Sequence, residues 1–172
     1  MYNVVQESMS AGVLFRAVTG SIFEAEDNSV EGVAVFIPCG LTGIRCDAER
    51  YLMPFGDPLK QDKGIAIYRK AALCRNFTVL CDWNYTHKRY SVSSLSELVD
   101  SALNLFGEMN VRRIAMNGIR LECQNNGNIS ESFVMRTAMA WCSLHDRTFE
   151  QIDFVDMRGG FGRIPLICAS FC

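Results

Sequence analysis

The sequence predicts an α/β sandwich built on a mostly parallel central sheet. From Val33 onward, strand-like runs alternate with helix-like ones, the order that lays helices over parallel strands. Residues 33–38 (VAVFIP) are a nearly continuous apolar run, which suits an inner strand covered on both faces. Residues 94–109 (SLSELVDSALNLFGEM) repeat apolar side chains at helical spacing, which suits a covering helix.

Taken in order, residues 13–19 (VLFRAVT) are rich in β-branched and aromatic residues and end at Gly20, a strand pattern. The run 33–38 follows, closed by Pro38 and Gly40. Residues 40–64 are irregular, broken by Pro54, Gly56 and Pro58, and long enough to serve a function. Residues 65–74 (IAIYRKAALC) read as helical, and residues 77–83 (FTVLCDW) as a strand. In the helix that follows, Leu95, Leu98, Val99, Ala102, Leu103, Phe106 and Met109 share one stripe, and Ser94 with Glu97 matches a capping box. Residues 111–116 are a strand. Residues 130–145 are a second helix, with Phe133, Val134, Thr137, Ala138, Trp141 and Cys142 on its stripe and Asn128 or Ser130 as cap. Residues 152–157 (IDFVDM) are a strand, 158–163 (RGGFGR) a glycine-rich exit, and 164–171 a last strand or apolar tail. With no internal repeat and no linker, one domain is expected over residues 1–172.

Composition narrows the function classes. The chain is 49% apolar, enough for a sizeable core. Its net charge is −2, which argues against a sequence-independent nucleic-acid binder, since such proteins need a strong positive field. No apolar run reaches the roughly 18–20 residues of a membrane span, so no membrane association is expected. The start, MYNVVQESMS, lacks a basic region followed by a long apolar segment, so no secretory leader is expected and a cytoplasmic location is. Eight cysteines contain no CxxC pair, and the histidines are His87 and His145. Zinc sites draw on close pairs, so no metal and no cofactor is expected. Most of the thiols read as reduced, buried small hydrophobes, since Cys39, Cys74, Cys81, Cys142 and Cys168 sit in apolar runs, with a disulfide framework as the lesser alternative.

Four segments resemble the macrodomain family. Gly20-Ser21-Ile22-Phe23 stands where that family has a Gly-Asp-Ile-Thr turn. Residues 33–39 match its apolar strand, residues 64–72 (GIAIYRKAA) its glycine-led first helix, and residues 94–116 its later helix and strand. The resemblance covers residues 13–157. It implies a three-layer sandwich with a mixed, mostly parallel sheet, and an ADP-ribose-like ligand at the carboxyl-end loops. The signature residues differ. Ser21 stands for the aspartate that meets adenine, Ile37-Pro38-Cys39-Gly40 for the asparagines that meet the distal ribose, and residues 117–127 for the glycine-rich phosphate loop, keeping only Gly118 and Gly127 as glycines.

Each candidate site has a plain alternative. In an open α/β sheet, ligands sit at the carboxyl ends of strands, and Asn117-Gly118 leaves such an end; Arg120 beyond it can hold an anion. Asn-Gly is also a common turn pair. In residues 158–163 the glycines permit close backbone approach, Arg158 and Arg163 can fork onto phosphate, and Phe161 can stack on a base; alternatively these are a solvated surface exit. Cys39 with Gly40-Leu41-Thr42-Gly43 is a third exit, or a buried thiol beside a loop. Asp82, Trp83, Tyr85 and His87 can wall a planar ligand, or are core and solvated loop. No nucleophile–base–orienter set emerges, so the balance leans against an enzyme.

Two functions are therefore expected in competition. The first is a domain binding a nucleotide-like small molecule, with Gly20, Ser21, Cys39, Gly40, Asn117, Gly118, Arg120, Phe161 and Arg163 around it. The second is a non-catalytic scaffold of the same fold that has lost the site and acts by self-association, as a homo-oligomer, or through a protein partner. Hydrolysis of ADP-ribosyl or phosphate esters ranks below both.

Overall fold

Short apolar runs, some alternating with polar residues and some unbroken, set the strands. The computed structural model describes residues 1–37, 60–62, 65–69, 77–82, 92–118, 121–123, 127–129, 132–157 and 159–160. Its strands are β1 Asn3–Ser10, β2 Val13–Thr19, β3 Gly32–Ile37, β4 Lys60–Asp62, β5 Ile65–Arg69, β6 Phe77–Asp82, β7 Arg113–Asn117, β8 Leu121–Cys123, β9 Gly127–Ile129 and β10 Gln151–Asp156. The helices are α1 Val92–Glu108 and α2 Ser132–Leu144, with a 3-10 helix at Ile22–Asn28.

Eight strands form one sheet in the order β1-β2-β10-β7-β3-β6-β5-β4, and β8 with β9 forms a separate hairpin. Neighbours from β2 through β10, β7 and β3 to β6 run parallel; β1, β5 and β4 run antiparallel to their partners. This is the mixed, mostly parallel sheet that the pattern of the sequence predicts.

Crossover handedness sorts the layers. From β6 to β7 and from β7 to β10 the chain steps one way across the sheet, and from β2 to β3 the other way. Right-handed crossovers in opposite directions place their connections on opposite faces. Accordingly α1 and α2 pack against each other on one face, while the 3-10 helix contacts β3 and β7. The helix-side core gathers Phe15, Phe36, Leu103, Phe106, Ile114, Met116, Met135, Trp141 and Phe154, with Phe15 stacked on Phe154 at 6.1 Å. The opposite core is smaller: Val18, Ile22, Ala25, Val30, Val33, Val35, Ala115 and Val155. Strands with apolar residues in both cores are covered on two faces, which explains the unbroken run in β3.

Local chemistry ends each element. Ala11 and Gly12 both take positive φ between β1 and β2, the geometry of a tight hairpin turn. At the end of α1, Asn110 has φ 58°, its N–H meets the Gly107 carbonyl, and the Val111 N–H meets the Phe106 carbonyl. That is a Schellman cap, and the burial of Phe106 and Val111 in one core completes it.

Three expectations change. Residues 65–69 are strand β5, not helix, paired with β6 from Ile65↔Cys81 to Arg69↔Phe77; five residues with β-branched Ile65 and Ile67 are too few to separate the two periods. The resemblance to a family helix at residues 64–72 therefore fails over the part described. Helix α1 begins at Val92, so Ser94 lies inside it rather than capping it. Asn128 pairs with Glu122 in the β8–β9 hairpin and does not cap α2. Strand β1 is an addition; its largely exposed pattern gives no apolar stripe to read.

Candidate ligand crevice at the carboxyl edge

The strand order reverses between β3 and β7. The connection leaving β3 leads toward β6, and that leaving β7 leads toward β10. Such a switch point opens a crevice outside the carboxyl ends of the two strands. The ends that line this edge are fixed by pairing: Thr19 beside Asp156, Asn117 beside Val155, and Ile37 beside Asp82.

The crevice is held by a side chain. Backbone pairing of β3 with β7 stops at Ala34↔Met116. Beyond that point the Asn117 amide takes over, its Oδ1 accepting from the Phe36 N–H at 2.7 Å and its Nδ2 donating to the Phe36 carbonyl at 3.1 Å. A side chain thus stands in for a strand backbone, and the two strands part at their exits. The stretch beyond Asn117 is not a plain bend: after Gly118 the described residues form the hairpin β8–β9.

The neighbouring exit is tied to Asp156. Its carbonyl accepts from the N–H groups of Gly20 at 3.2 Å and Gly159 at 3.3 Å, and its carboxylate accepts from the Gly160 N–H at 2.6 Å. Gly159 has φ +69°, and a Cβ there would press on the Thr19 hydroxyl. At Gly20 a Cβ would strike the Met1 carbonyl oxygen, so glycine is required for the residues before β1 to approach this exit so closely. Ser21 caps the 3-10 helix, accepting from the Phe23 N–H at 3.3 Å.

Topology adds a favourable field. α1 follows the carboxyl end of β6, and α2 follows that of β7, so both helices start at this edge. Neither has an acidic residue in its first turn, leaving the positive ends of the helix dipoles available to an anion.

Of the residues singled out from sequence, Gly20, Ser21, Asn117 and Gly118 stand at the exits of β2 and β7. Cys39, Gly40, Arg120, Phe161 and Arg163 lie outside the described residues, as do Trp83, Tyr85 and His87. Asp156 and Thr19 are additions. An acidic residue three places before a glycine pair is the signal that points to Asp156.

Other polar groups lie elsewhere. Asp153, with 0% exposure, accepts from Arg16 at 2.7 and 2.6 Å, from the Tyr2 hydroxyl at 2.6 Å and from Gln151 at 3.0 Å. Burial, then the Asp153 carboxylate, holds the Tyr2 phenol above its ordinary range, and the hydrogen bond to Asp153 raises Arg16 further. Arg113 and Arg112 are at the amino edge, paired with Glu31 at 3.3 Å and Glu150 at 3.1 Å. Among the described residues no group of three metal-ligating side chains comes together, and no helix is long and apolar enough to cross a membrane.

No family model matches the chain, and no curated protein sequence matches it. Solved structures do. The macrodomain of Thermus aquaticus DarG is similar with a TM-score of 0.54 at 16% identity, over 83% of this chain and 97% of that one. The Oceanobacillus iheyensis macrodomain with ADP gives 0.58 at 14%, over 91% of each. Thermosipho africanus DarTG in complex with ADP-ribose gives 0.58 at 12%, over 96% of this chain and 46% of that one. Strand order, crossover pattern and these likenesses together make the fold of this chain macrodomain-like.

Proposed function

We propose that the protein binds an ADP-ribose-like nucleotide in the crevice between the exits of β3 and β7. The observation that carries this reading is the parting of those two strands at the switch point, with Asn117 bridging them through Phe36. The positive ends of α1 and α2 suit the diphosphate. The likeness to folds solved with ADP and with ADP-ribose supports the choice of ligand. Gly20, Ser21 and Gly118 then border the ligand; Cys39, Gly40, Arg120, Phe161 and Arg163, the further contacts expected from the sequence, lie outside the described residues. The reading is one of binding; no acid–base or nucleophilic role is assigned.

Titration calorimetry with ADP-ribose, AMP and inorganic phosphate tests it. Saturable binding of ADP-ribose that phosphate alone does not reproduce is expected. No heat and no thermal shift at millimolar ADP-ribose, with the protein folded, overturns it.

A second reading draws on Asp156, which takes up the amides of Gly20, Gly159 and Gly160 and so removes donors a phosphate would need. Together with the exposed Val5 and Met9 of edge strand β1, this favours a scaffold that self-associates. A molar mass by light scattering above that of one chain, falling on dilution, is its expected result.

A further inference from the structure

We infer that Asn117 is a positioning residue: its clasp on Phe36 fixes the width of the crevice and thereby sets nucleotide affinity, an inference that rests on the binding reading above. Three observations carry it. The clasp lies where the β3–β7 ladder ends, at Ala34↔Met116. It makes two hydrogen bonds, one accepted from and one donated to the same backbone residue, so the side chain cannot rotate without losing both. And β3 stays registered with β6 as far as Ile37↔Asp82, so β3 cannot swing to close the gap without breaking that ladder. The separation of β3 from β7 at their exits is then dictated by the length of one asparagine side chain. Gly118 directly follows the clasp, so its backbone position is dictated too.

The chemistry of the amide makes the role testable. Alanine removes both bonds and introduces no charge. Aspartate keeps an oxygen to accept from the Phe36 N–H, but its second oxygen then faces the Phe36 carbonyl, repelling it when ionised and donating to it when protonated. Lowering the pH therefore restores the clasp in Asn117→Asp. A purely structural role moves melting temperature alone, whereas a positioning role moves the dissociation constant measured well below melting.

The experiment pairs hydrogen exchange at the Phe36 amide with calorimetric titration of ADP-ribose, on the full chain, for wild type, Asn117→Ala and Asn117→Asp. In Asn117→Ala the Phe36 amide is expected to lose protection and ADP-ribose to bind about tenfold more weakly, the worth of one to two lost hydrogen bonds. Asn117→Asp is expected to bind weakly at neutral pH and to approach wild type only as the pH falls to about 4 and below, where its carboxyl protonates. It also serves if Asn117→Ala does not fold. Wild-type affinity in Asn117→Ala, or wild-type protection of Phe36, overturns the inference while the binding reading stands. Weak binding in Asn117→Asp with wild-type protection of the Phe36 amide marks charge repulsion of the ligand, and overturns it equally. A wild-type protein that does not bind ADP-ribose overturns the binding reading, and the positioning role falls with it.

Discussion

Asp153 is a carboxylate with no exposed surface in the middle of a parallel strand, and it is tolerated because Arg16, Tyr2 and Gln151 all donate to it. Removing one partner of a buried pair costs more than the pair contributes, because the other charge stays behind. Asp153→Ala is expected to destabilise by about 3 kcal/mol and Tyr2→Phe by about 1–2 kcal/mol, both read from urea midpoints; equal effects would show that the ion pair is not the dominant tie. Cys142 behaves oppositely to a reactive thiol. Burial pushes it up to about 12, so the thiolate is scarce at neutral pH. Alkylation followed by peptide mass spectrometry is expected to modify Cys142 only after denaturant is added, and rapid labelling in native buffer would contradict its burial. Neither role was legible in the sequence beyond the cysteine's place on an apolar stripe. Asp153 finds its partners across a parallel ladder and at the start of the chain, and Asn117 finds Phe36 at a separation of 81 residues; no local pattern encodes such pairs. Gly20 was legible as a strand exit, but not its close approach to Met1.

At the scale of elements, periodicity located what was long and failed on what was short. Helices α1 and α2 and strands β2, β3, β7 and β10 announce themselves by apolar spacing, because each buries a face in one core or the other. Strand β5 has only five residues, and β1 is an edge strand with a bulge between Val4 and Gln6, so neither presents a stripe. Close packing between elements leaves its own mark at Gly32, where a Cβ would lie 2.8 Å from both Phe106 and Val111. Gly32→Ala is expected to cost about 1–3 kcal/mol by overpacking, measured from its chemical denaturation, and a neutral outcome would mean that α1 can shift freely over β3. Glu31, just before β3, ties the amino ends of two strands. Burial alone would raise its carboxyl, but the N–H groups of Arg112 and Arg113 and the Arg113 guanidinium outweigh it and hold the group below 4.5. A lowered value means this stabilisation is present above the ordinary carboxyl range and is lost as the pH falls through the folded-state value. Melting temperature against pH should therefore drop less steeply below pH 4.5 in Glu31→Gln than in wild type, the variant being less stable at neutral pH; parallel curves would remove Glu31 from the acid response.

For the molecule as a whole, the parallel sheet separates stability from binding. Its amino edge is braced by Glu31 with Arg113 and by Glu150 with Arg112, while its carboxyl edge holds the crevice between β3 and β7. A strand of five or six residues spans roughly 17–20 Å, well beyond the screening length of about 8 Å at physiological salt. Charges at one edge therefore contribute little field at the other, and substitutions this far apart, with no shared partner, are expected to act additively. Glu31→Gln should lower the melting temperature yet leave the ADP-ribose dissociation constant within about twofold of wild type when measured well below melting. Asn117→Ala should lower stability and also weaken ADP-ribose binding about tenfold, an effect on affinity that Glu31→Gln lacks. Combining the two in a double-mutant cycle gives the sharpest reading. A coupling energy in binding near zero, below about 0.5 kcal/mol, fits two independent edges. A larger coupling would mean that the strands transmit strain along their length, so that the brace at the amino edge also sets the opening at the carboxyl edge.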